Sequence, residues 1–352
     1  MASTLINIVA NAASTTLAPS VIGKTKALLL PNGRYINKWM TMSFTDILFE
    51  GLKSLNKREK IEPLTDDEKI NVHPVLPVDF DRLRQPLESS SSLRCTWIGH
   101  ASFFVQFAGA NFLTDPVFSA RCSPLSFIGP RRYRDAPCQV TELPKADFVV
   151  ISHSHYDHLD INVVKALGNS THWFVPKGLK QWFTSCGVTT VTELEWWEEA
   201  DFGEHMRITC TPSHHNSNRG LLDRNVTLWC SWVVTDKRTD KKVFHSGDTA
   251  YCDVFKEIGH HMGGIDFGMI PIGAYSPRSI MREMHVDPAE AVMVHRDLAS
   301  KKSVGMHWGT FVLTQEPLLE PPRRLKEEAD KAGLAEDEFT AMKIGETRDI
   351  AL

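Results

Sequence analysis

Short apolar runs that end in histidine or aspartate recur along this chain, and they limit its fold more than any other feature. The densest case is FVVI at 148–151, which leads directly into SHSHYDHLD at 152–160. Runs of this length and composition are typical of buried strands, and polar side chains that follow such strands gather at one edge of a sheet. The chain is therefore expected to place its chemistry at strand ends, around one polar cleft.

Strand-like and helix-like segments alternate from residue 92 onward, in two rounds of similar texture. The strand-like segments are LRCTWIGH, ASFFVQFA, NFLTDP, DFVVIS and HWFVP, then MRITCTPS, LWCSWVVTD, KKVFHSGD, DFGMIPIG and KSVGMHWGT. The helix-like segments are NVVKALG, GLKQWFTSC, DVFKEIGHHM and DPAEAVMVHRDL. We expect KSVGMHWGT to be the last buried strand, ahead of a long polar helix. Two rounds of strands followed by helices predict an α+β fold, an αββα four-layer sandwich with the helices outside.

The pattern also divides the chain at about residue 80. Residues 81–352 are expected to form a catalytic domain, and residues 1–80 an N-terminal extension. An amphipathic helix followed by a basic tail is predicted at 44–55. Its apolar face includes Ile47, Leu48 and Leu52. Two interpretations stay open, a helix that contacts a membrane surface and a helix packed on the catalytic domain.

Composition and charge exclude several functional classes. The chain carries 39 basic and 43 acidic side chains, a net charge of -4, which gives no electrostatic basis for binding nucleic acid. Seven cysteines without CxxC pairs suit buried thiols in a reducing compartment. The sequence shows neither a signal peptide with a basic start nor an apolar stretch of membrane-spanning length. An intracellular protein without a transmembrane helix is expected.

The stretch SHSHYDHLD predicts a metal site. His153 and His155 are two residues apart, so on an extended segment they point the same way. Asp157 and His158 follow at the turn into the next helix, where a tight bend brings both toward the same point. Imidazole with carboxylate and no nearby thiolate favours zinc, with iron and manganese as alternatives. Two pairs of ligands indicate two ions.

A site with two ions needs further ligands, and three later strand ends offer them. TPSHH supplies His214 or His215, HSGDT supplies Asp248, and MHWGT supplies His307. We expect the last aspartate of the first stretch, Asp160, to hold a histidine ring in place from behind.

These motifs resemble a known family. HxHxDH, a later strand-end histidine, GD and a final strand-end histidine are similar to the metallo-β-lactamase superfamily. WIGHASFFVQF, FLTDPVFS, GPRRYRDAPC, WFVPKGL, LEWWEE, GDTAYC, IPIGAYSPR, HVDPAEAV and HWGTF narrow the resemblance to the N-acylphosphatidylethanolamine-hydrolysing phospholipase D family. The resemblance runs from about Trp97 to Gly345, and NGRYINKW at 32–39 is similar to the segment that precedes the family's catalytic domain.

The resemblance implies a ligand set and an activity. It implies two Zn²⁺ per chain, the first held by His153, His155 and His215, the second by Asp157, His158 and His307, with Asp248 bridging both. It also implies His285 near the substrate phosphate, Asp115 as a supporting carboxylate, and a homodimer. Where the family has glutamine before two key histidines, this chain has His214 and Met284.

The implied reaction is hydrolysis of a membrane phosphodiester. Two cations lower the pKa of a water molecule, so that a hydroxide attacks phosphorus near neutral pH. The expected products are phosphatidic acid and N-acylethanolamine. Asp157 or Asp248 would orient the hydroxide, and His285 would stabilise phosphoryl oxygens or protonate the leaving group.

A substrate with three acyl chains requires contact with a bilayer, so we expect a peripheral protein on the cytosolic face of membranes. Arg131, Arg132 and Arg134 are candidates for lipid contact or for an internal ion-pair network. Trp196 and Trp197 are expected to pack rather than to anchor in lipid. Two other functions stay open, a metallo-hydrolase of another phosphodiester or of a lactone, and a non-catalytic zinc-containing lipid-binding protein.

Overall fold

The computed structural model describes residues 23–352 except 44, 47–48, 51–52, 54–59, 88, 90–91 and 126. Within these residues, sixteen strands form two seven-stranded sheets and one small ribbon. The strands are β1 Leu28–Leu29, β2 Tyr35–Ile36, β3 Ser92–Gly99, β4 Ser102–Phe107, β5 Ala110–Thr114, β6 Phe148–Val150, β7 His172–Pro176, β8 Val191–Leu194, β9 Glu199–Phe202, β10 Met206–Thr211, β11 Ser231–Asp236, β12 Lys241–His245, β13 Ile265–Pro271, β14 Ser300–Met306, β15 Phe339–Ala341 and β16 Thr347–Ala351.

The first sheet has the order β16-β3-β4-β5-β6-β7-β8, and the second has the order β15-β14-β13-β12-β11-β10-β9. In the first, β16, β3, β4 and β5 pair antiparallel, while β5 to β8 run parallel. In the second, β9 to β12 pair antiparallel, while β12 to β15 run parallel. Each sheet is thus half hairpins and half crossovers, and the parallel halves send their carboxyl ends to one edge.

Helices cover the outer faces of the sheets. The α-helices among the described residues are α1 Phe80–Arg84, α2 Ile161–Leu167, α3 Lys180–Ser185, α4 Val254–Met262, α5 Arg278–Met281, α6 Pro288–Asp297 and α7 Glu320–Lys331. Shorter turns of other helix types are Glu68–Val72, Val140–Glu142 and Gly168–Ser170. Helix α6 starts as the sequence predicts, with Asp287 accepting a hydrogen bond from the Glu290 amide and proline at its first position.

Successive side chains along a strand point to opposite faces of its sheet and enter two different cores. In β4, Phe103 and Val105 point into the core between the two sheets, whereas Phe104 points into a second core that includes Val163 of α2 and Phe183 of α3. On the far side, α6 packs against β13 and β14, and α7 packs against α6 and β15. The predicted α+β, four-layer sandwich is confirmed.

The last elements of the chain include two strands that were not expected. KSVGMHWGT overlaps β14 and precedes the polar helix α7 as predicted, but β15 and β16 follow α7. Both were missed because their side chains are largely half-buried or exposed, which removes the continuous apolar run of a central strand. Strand β9 was missed for the same reason. All three are edge strands of their sheets.

The segment that precedes the predicted boundary at residue 80 packs against the rest of the chain. The amide of Tyr35 donates to the carbonyl of Asn225 (2.7 Å), and the side chain of Asn37 donates to the carbonyl of His215 (2.7 Å). The division into residues 1–80 and 81–352 stays a prediction. The apolar face predicted for the 44–55 helix, Ile47, Leu48 and Leu52, lies outside the described residues.

Two further features of the molecule concern membrane-spanning helices and cysteines. None of the helices in the described ranges has both the length and the apolar character needed to cross a bilayer. The seven cysteines are all free, and six of them are buried.

Candidate metal centre

The predicted ligands meet at the shared edge where the parallel strands of both sheets end. His153 follows β6, His215 follows β10, Asp248 follows β12 and His307 follows β14. The first sheet thus supplies the stretch 152–160, and the second sheet supplies the other three side chains. All four of these residues are buried.

One group consists of His153, His155, His215 and Asp248, with one potential ligand atom from each within 4.8 Å of the others. Nε2 of His153 lies 2.7 Å from Nδ1 of His155, and Nε2 of His215 lies 3.3 Å from that same Nδ1. Oδ2 of Asp248 lies 3.8 Å from Nε2 of His153 and 3.7 Å from Nε2 of His215. Three imidazoles and one carboxylate therefore converge on one small space.

A second group contains Asp157, His158 and His307, together with a residue that was not predicted, His100. Nε2 of His158 and Nε2 of His307 lie 3.6 and 3.5 Å from Oδ2 of Asp157. Nε2 of His100 is closer, at 3.0 Å from the same oxygen. The second group again offers imidazole and carboxylate atoms that face one another.

Asp248 belongs to the boundary between the two groups. Its Oδ2 lies 3.1 Å from Nε2 of His158, and its Oδ1 lies 3.0 Å from Nε2 of His307. Since its Oδ2 also lies within 3.8 Å of His153 and His215, the same carboxylate faces histidines of both groups. This is the position that a bridging ligand needs.

Three of the ring nitrogens that point away from the centre have hydrogen-bond acceptors. Nδ1 of His158 donates to Oδ2 of Asp115 (2.8 Å), Nε2 of His155 donates to Oδ1 of Asn218 (2.8 Å), and Nδ1 of His215 donates to the carbonyl of Met284 (3.0 Å). A proton fixed on the outer nitrogen leaves the lone pair on the inner one. Each of these rings is thus set in the tautomer that binds a metal.

Several polar atoms on the inner side lack a hydrogen-bond partner although they are buried. Among the described residues these include Nε2 of His158, Nε2 of His307 and Oδ1 of Asp248. Buried polar atoms are rarely left unsatisfied, and imidazole and carboxylate donors suit zinc, iron or manganese. The donor set therefore fits divalent cations.

The pKa values follow from burial and from the two carboxylates. Burial lowers the pKa of His153 well below its usual value, and the neighbouring rings of His158 and His155 lower it further. Burial also opposes charge on His307, but Asp248 and Asp157 outweigh it and raise the pKa to about 9. The carboxylates thus favour positive charge on His307 and His158, whereas burial lowers the pKa values of His100 and His153 and favours their neutral forms.

Some of the strained backbone positions lie at the same strand ends. His100, Asp115 and His307 have φ values of 54°, 36° and 61°, in the left-handed region that non-glycine residues rarely adopt. Gly247, directly before Asp248, has φ of 56°, and a Cβ there would lie 2.4 Å from Cβ of Ser152. Such strain persists only where the surroundings over-determine it, and here it aims side chains into the centre.

The choice between two neighbouring histidines is made by the fold. The ring of His215 enters the first group, whereas His214 packs against Trp39 with ring centroids 5.9 Å apart. Met284 contributes its main-chain carbonyl to His215, a contact that does not depend on its side chain.

His285 lies at the rim of the centre. Its Nδ1 is 4.0 Å from Oδ2 of Asp248, and its ring centroid is 5.0 Å from that of His307. Its side chain is 10% exposed, compared with 2% for Asp248. His285 thus faces the metal groups from a more open position.

Asp115 lies where a supporting carboxylate was predicted, beneath His158. It also accepts hydrogen bonds from Nε2 of His245 (2.8 Å) and from the amide and hydroxyl of Ser152 (2.7 and 2.6 Å). His245 and His100 were both missed by sequence reasoning. Each stands at the end of an apolar run, LRCTWIG or KKVF, so the rule applied to the other strand ends could have found them.

One prediction is wrong, and one alternative is excluded. Asp160 was expected to hold a histidine ring, but its carboxylate accepts from the amides of Ser119 and Asn162 (both 2.9 Å) and caps α2. Arg132 was a candidate for lipid contact or for an internal ion-pair network; its guanidinium is buried, donates to the carbonyls of Ser119 and Val117 and interacts electrostatically with Asp160 and Asp135. A buried charge among carbonyls cannot reach a lipid headgroup. Arg131 is exposed.

The two tryptophans that were expected to pack against the protein do so. Trp196 is 5% exposed in the main core, and Trp197 is half-buried, donating to the carbonyl of Thr25 (2.8 Å). Arg134 is partly buried and donates to the carbonyl of Lys69 (2.8 Å).

Comparison with known proteins agrees with this geometry. Residues 110–308 match a family profile described as "Beta-lactamase superfamily domain". Among solved structures, an isothiocyanate hydrolase from Delia radicum gut bacteria has a TM-score of 0.60 at 21% identity, covering 74% of this chain and 100% of that one. A metallo hydrolase from Ignicoccus hospitalis, Igni18, has a TM-score of 0.56 at 21% identity, covering 74% of this chain and 99% of that one. At this identity the likeness shows the fold alone.

Sequence relatives are closer. N-acyl-phosphatidylethanolamine-hydrolyzing phospholipase D 1 of Caenorhabditis elegans is 42% identical over 294 residues, which is 80% of each chain. The mitochondrial protein of the same description in Saccharomyces cerevisiae is 36% identical over 281 residues, which is 76% of this chain and 59% of the yeast protein. The chain therefore belongs to the N-acylphosphatidylethanolamine-hydrolysing phospholipase D family, a group of metal-dependent hydrolases with the metallo-β-lactamase fold.

Proposed function

We propose that this protein is a zinc-dependent phospholipase D that hydrolyses N-acylphosphatidylethanolamine to N-acylethanolamine and phosphatidic acid. The observation that carries the proposal is the position of Asp248, whose carboxylate lies 3.8 and 3.7 Å from His153 and His215 of the first group and 3.1 and 3.0 Å from His158 and His307 of the second. A shared carboxylate suits a two-metal site rather than a closed structural one. The substrate is taken from the family relatives.

The ligand assignment follows the two groups. The first ion would be held by His153, His155 and His215, and the second by Asp157, His158 and His307, with Asp248 between them. When bound, two divalent cations supply Lewis acidity, lower the pKa of a water molecule and neutralise charge on the phosphodiester. His100 contacts Asp157 at 3.0 Å, and we assign it the task of orienting that carboxylate.

The remaining chemistry belongs to the side chains of this protein. Asp157 or Asp248 accepts a hydrogen bond from the attacking water and orients it toward phosphorus, so that the ethanolamide oxygen leaves from the opposite side. His285, at the more open rim, contacts the phosphoryl oxygens or donates a proton to the leaving oxygen. The water's oxygen ends in phosphatidic acid.

We include peripheral association with the cytosolic face of membranes and a homodimer in the proposal. The first is supported by the nature of the substrate, and the second by family resemblance. Neither requires a membrane-spanning helix.

Isotope labelling tests the reaction. Purified protein is incubated with N-acylphosphatidylethanolamine vesicles in ¹⁸O water, with and without a chelator, and both products are analysed by mass spectrometry. We expect one ¹⁸O in phosphatidic acid, none in the ethanolamide, and no turnover after chelation. Label in the ethanolamide would mean attack at carbon and would refute the mechanism.

The same samples separate the alternatives. Turnover of a lactone or a soluble phosphodiester without turnover of the lipid would point to a different hydrolase on this fold. Two metal ions per chain with no turnover of any substrate would point to a lipid-binding protein.

A further inference from the structure

Two loops next to the metal centre expose large apolar side chains to solvent. The first, residues 122–130, carries Leu125, Phe127 and Ile128, which are 47%, 75% and 57% exposed. The second, residues 218–226, carries Leu221 and Leu222, which are 102% and 85% exposed. We call these five side chains the apolar tips. Five large apolar side chains this exposed on two loops beside one site are a typical sign of an interaction surface.

The first loop is held closed at its base. The amide of Cys122 donates to the carbonyl of Pro130 (3.2 Å), and the guanidinium of Arg121 donates to the carbonyl of Gly129 (2.5 Å). The apolar side chains therefore project from a hydrogen-bonded hairpin.

The second loop is held in place by hydrogen bonds to the side chains of Asp223 and Arg34. The carboxylate of Asp223 accepts from the amides of Arg219 (3.1 Å) and Gly220 (2.7 Å). From the N-terminal segment, Arg34 donates to the carbonyl of Leu222 (2.6 Å) and to that of Arg224. These polar groups of the turn are thus paired with one another, and the side chains of the two leucines are left exposed.

Both loops adjoin the stretch that carries the metal ligands. A groove of about 410 Å³ is lined by Leu125 and Phe127 of the first loop, Arg219 of the second, and Tyr156 between them. Tyr156 lies between His155 and Asp157 in the chain, and its hydroxyl donates to the carbonyl of Arg219 (2.9 Å). A surface that meets the tips therefore also meets the edge of the metal centre.

The charges around the tips select the kind of surface. Arg121 and Arg131 flank the first loop, where an isolated bridge pairs their backbones, and Arg131 is exposed. Arg34 and Arg224 flank the second loop, and the one carboxylate of that turn, Asp223, is directed onto backbone amides. Apolar tips bordered by guanidinium groups are complementary to a bilayer with anionic headgroups.

We propose that the apolar tips insert into the surface of an anionic bilayer and so bring the metal centre to its lipid substrate. This inference rests on the proposed function for the choice of a lipid surface over a protein. It places the membrane contact on Leu125, Phe127, Ile128, Leu221 and Leu222 instead of Arg132.

Vesicle binding of the full chain tests the proposal without any turnover. Sedimentation with vesicles of phosphatidylcholine and phosphatidylserine, free of N-acylphosphatidylethanolamine, gives the partition coefficient. We expect the double variant Leu221→Ser with Leu222→Ser, and separately Phe127→Ser with Ile128→Ser, to bind at least about tenfold more weakly, because each buried leucine or phenylalanine contributes about that factor. Both variants should keep their turnover of a short-chain soluble analogue.

A matched control comes from the outer helical layer. Met293 on α6 is 44% exposed, and Met293→Ser should leave vesicle binding unchanged. Near-ultraviolet circular dichroism of all variants identifies any that misfold. The Arg131→Gln variant should bind phosphatidylserine vesicles more weakly and leave binding to pure phosphatidylcholine unaffected.

A second measurement does not depend on loss of function. In a Cys186→Ser background, which removes the half-buried cysteine, an environment-sensitive fluorophore attached to Leu222→Cys should shift to shorter wavelength on addition of vesicles. The same fluorophore on Met293→Cys should not shift.

The possible outcomes are distinct. Vesicle binding within twofold of the unmodified protein in both double variants, with no fluorophore shift, would overturn the proposal. A change in the oligomeric state of the tip variants by sedimentation velocity, with unchanged vesicle binding, would assign the tips to a second copy of the chain. Tip-dependent binding without lipid hydrolysis would support this surface and refute only the proposed reaction.

Discussion

At the scale of single residues, the centre is defined as much by what lies behind the histidines as by the histidines. Asp115 shows this best, because one buried carboxylate accepts hydrogen bonds from His158, His245 and Ser152. The hydroxyl of Ser152 in turn lies 2.9 Å from Nδ1 of His153. A single side chain thus orients one ligand of each metal group.

Replacing this carboxylate should weaken metal binding without removing a ligand. For Asp115→Asn we expect metal affinity to fall by roughly 10–100-fold, as is typical for partners that orient metal-bound histidines. The measurement is a competition titration with a chromophoric chelator. Unchanged affinity at both sites would show that Asp115 does not set the orientation of His158.

Asp160 provides the control for that substitution, since it is a nearby buried aspartate that caps α2 and does not contact a described histidine. Asp160→Asn should keep its metal content and lose about 1 kcal/mol or more of stability in denaturant unfolding.

Substitution of Asp248 should have a different effect from substitution of Asp115 or Asp160. In Asp248→Asn one of the two oxygens becomes an amide nitrogen that cannot bind a cation, and the negative charge is lost. We expect at least one metal ion fewer per chain, by elemental analysis, and a loss of activity beyond the roughly 10–100-fold expected for an outer partner. Full activity in this variant would refute the bridging role.

Sequence reasoning found most of these residues because they combine a strand end with a recognisable motif. His100 is the only candidate ligand in LRCTWIGH, and His245 shares HSGD with Asp248; sequence alone does not show which neighbours the fold gives either histidine. Asp160 illustrates the opposite error, since it belongs to the motif but serves as a helix cap.

At the scale of elements, the central strands could be predicted and the peripheral ones could not. β6 and β13 are buried along their whole length, so they read as continuous apolar runs. β9 and β16 mix exposed and half-buried positions, and β16 forms only by pairing with β3 across most of the chain. Such pairing depends on tertiary contacts that local patterns do not contain.

Substitutions of two tightly packed glycines, one beside the metal centre and one in helix α4, can distinguish loss of stability from loss of metal. A Cβ at Gly247 would meet Cβ of Ser152 at 2.4 Å, at a positive φ, while a Cβ at Gly259 in α4 would meet the carbonyl of Asp297 at 2.3 Å. We expect Gly247→Ala and Gly259→Ala each to lose about 1–3 kcal/mol of stability, because the chain must shift to relieve the overlap.

Metal content should distinguish the two glycine variants. Gly247→Ala displaces the strand end that carries Asp248 and should also lose metal, whereas Gly259→Ala lies in an outer helix and should retain it. Denaturant unfolding together with elemental analysis measures both quantities. Equal metal loss in the two variants would contradict the assignment of Gly247 to the site.

At the scale of the whole molecule, the metal centre joins the two sheets. The first sheet contributes the stretch 152–160 and the second contributes His215, Asp248 and His307. Since a cation bound only by the folded state stabilises that state by mass action, metal and sheet docking reinforce each other.

Removing metal should therefore lower thermal stability. We expect the chelated protein to unfold at a Tm at least about 5 °C lower, which corresponds to about 4 kcal/mol for a chain of this size. Added Zn²⁺ or Mn²⁺ should restore the Tm, whereas Ca²⁺, which prefers oxygen ligands, should not. A Tm that is insensitive to chelation would argue against metal that binds across both sheets.

The distribution of the ligands along the chain has a consequence for biosynthesis. The proposed ligands begin at His153 and end at His307, so a ribosome must pass β12 and Asp248 before the first group is complete, and β14 and His307 before the second is complete. A nascent chain that carries only the SHSHYDHLD stretch can hold an ion through that stretch alone. Binding of metal at both groups therefore requires that both sheets have been synthesised and docked. Full metal occupancy thus indicates that the chain has folded completely.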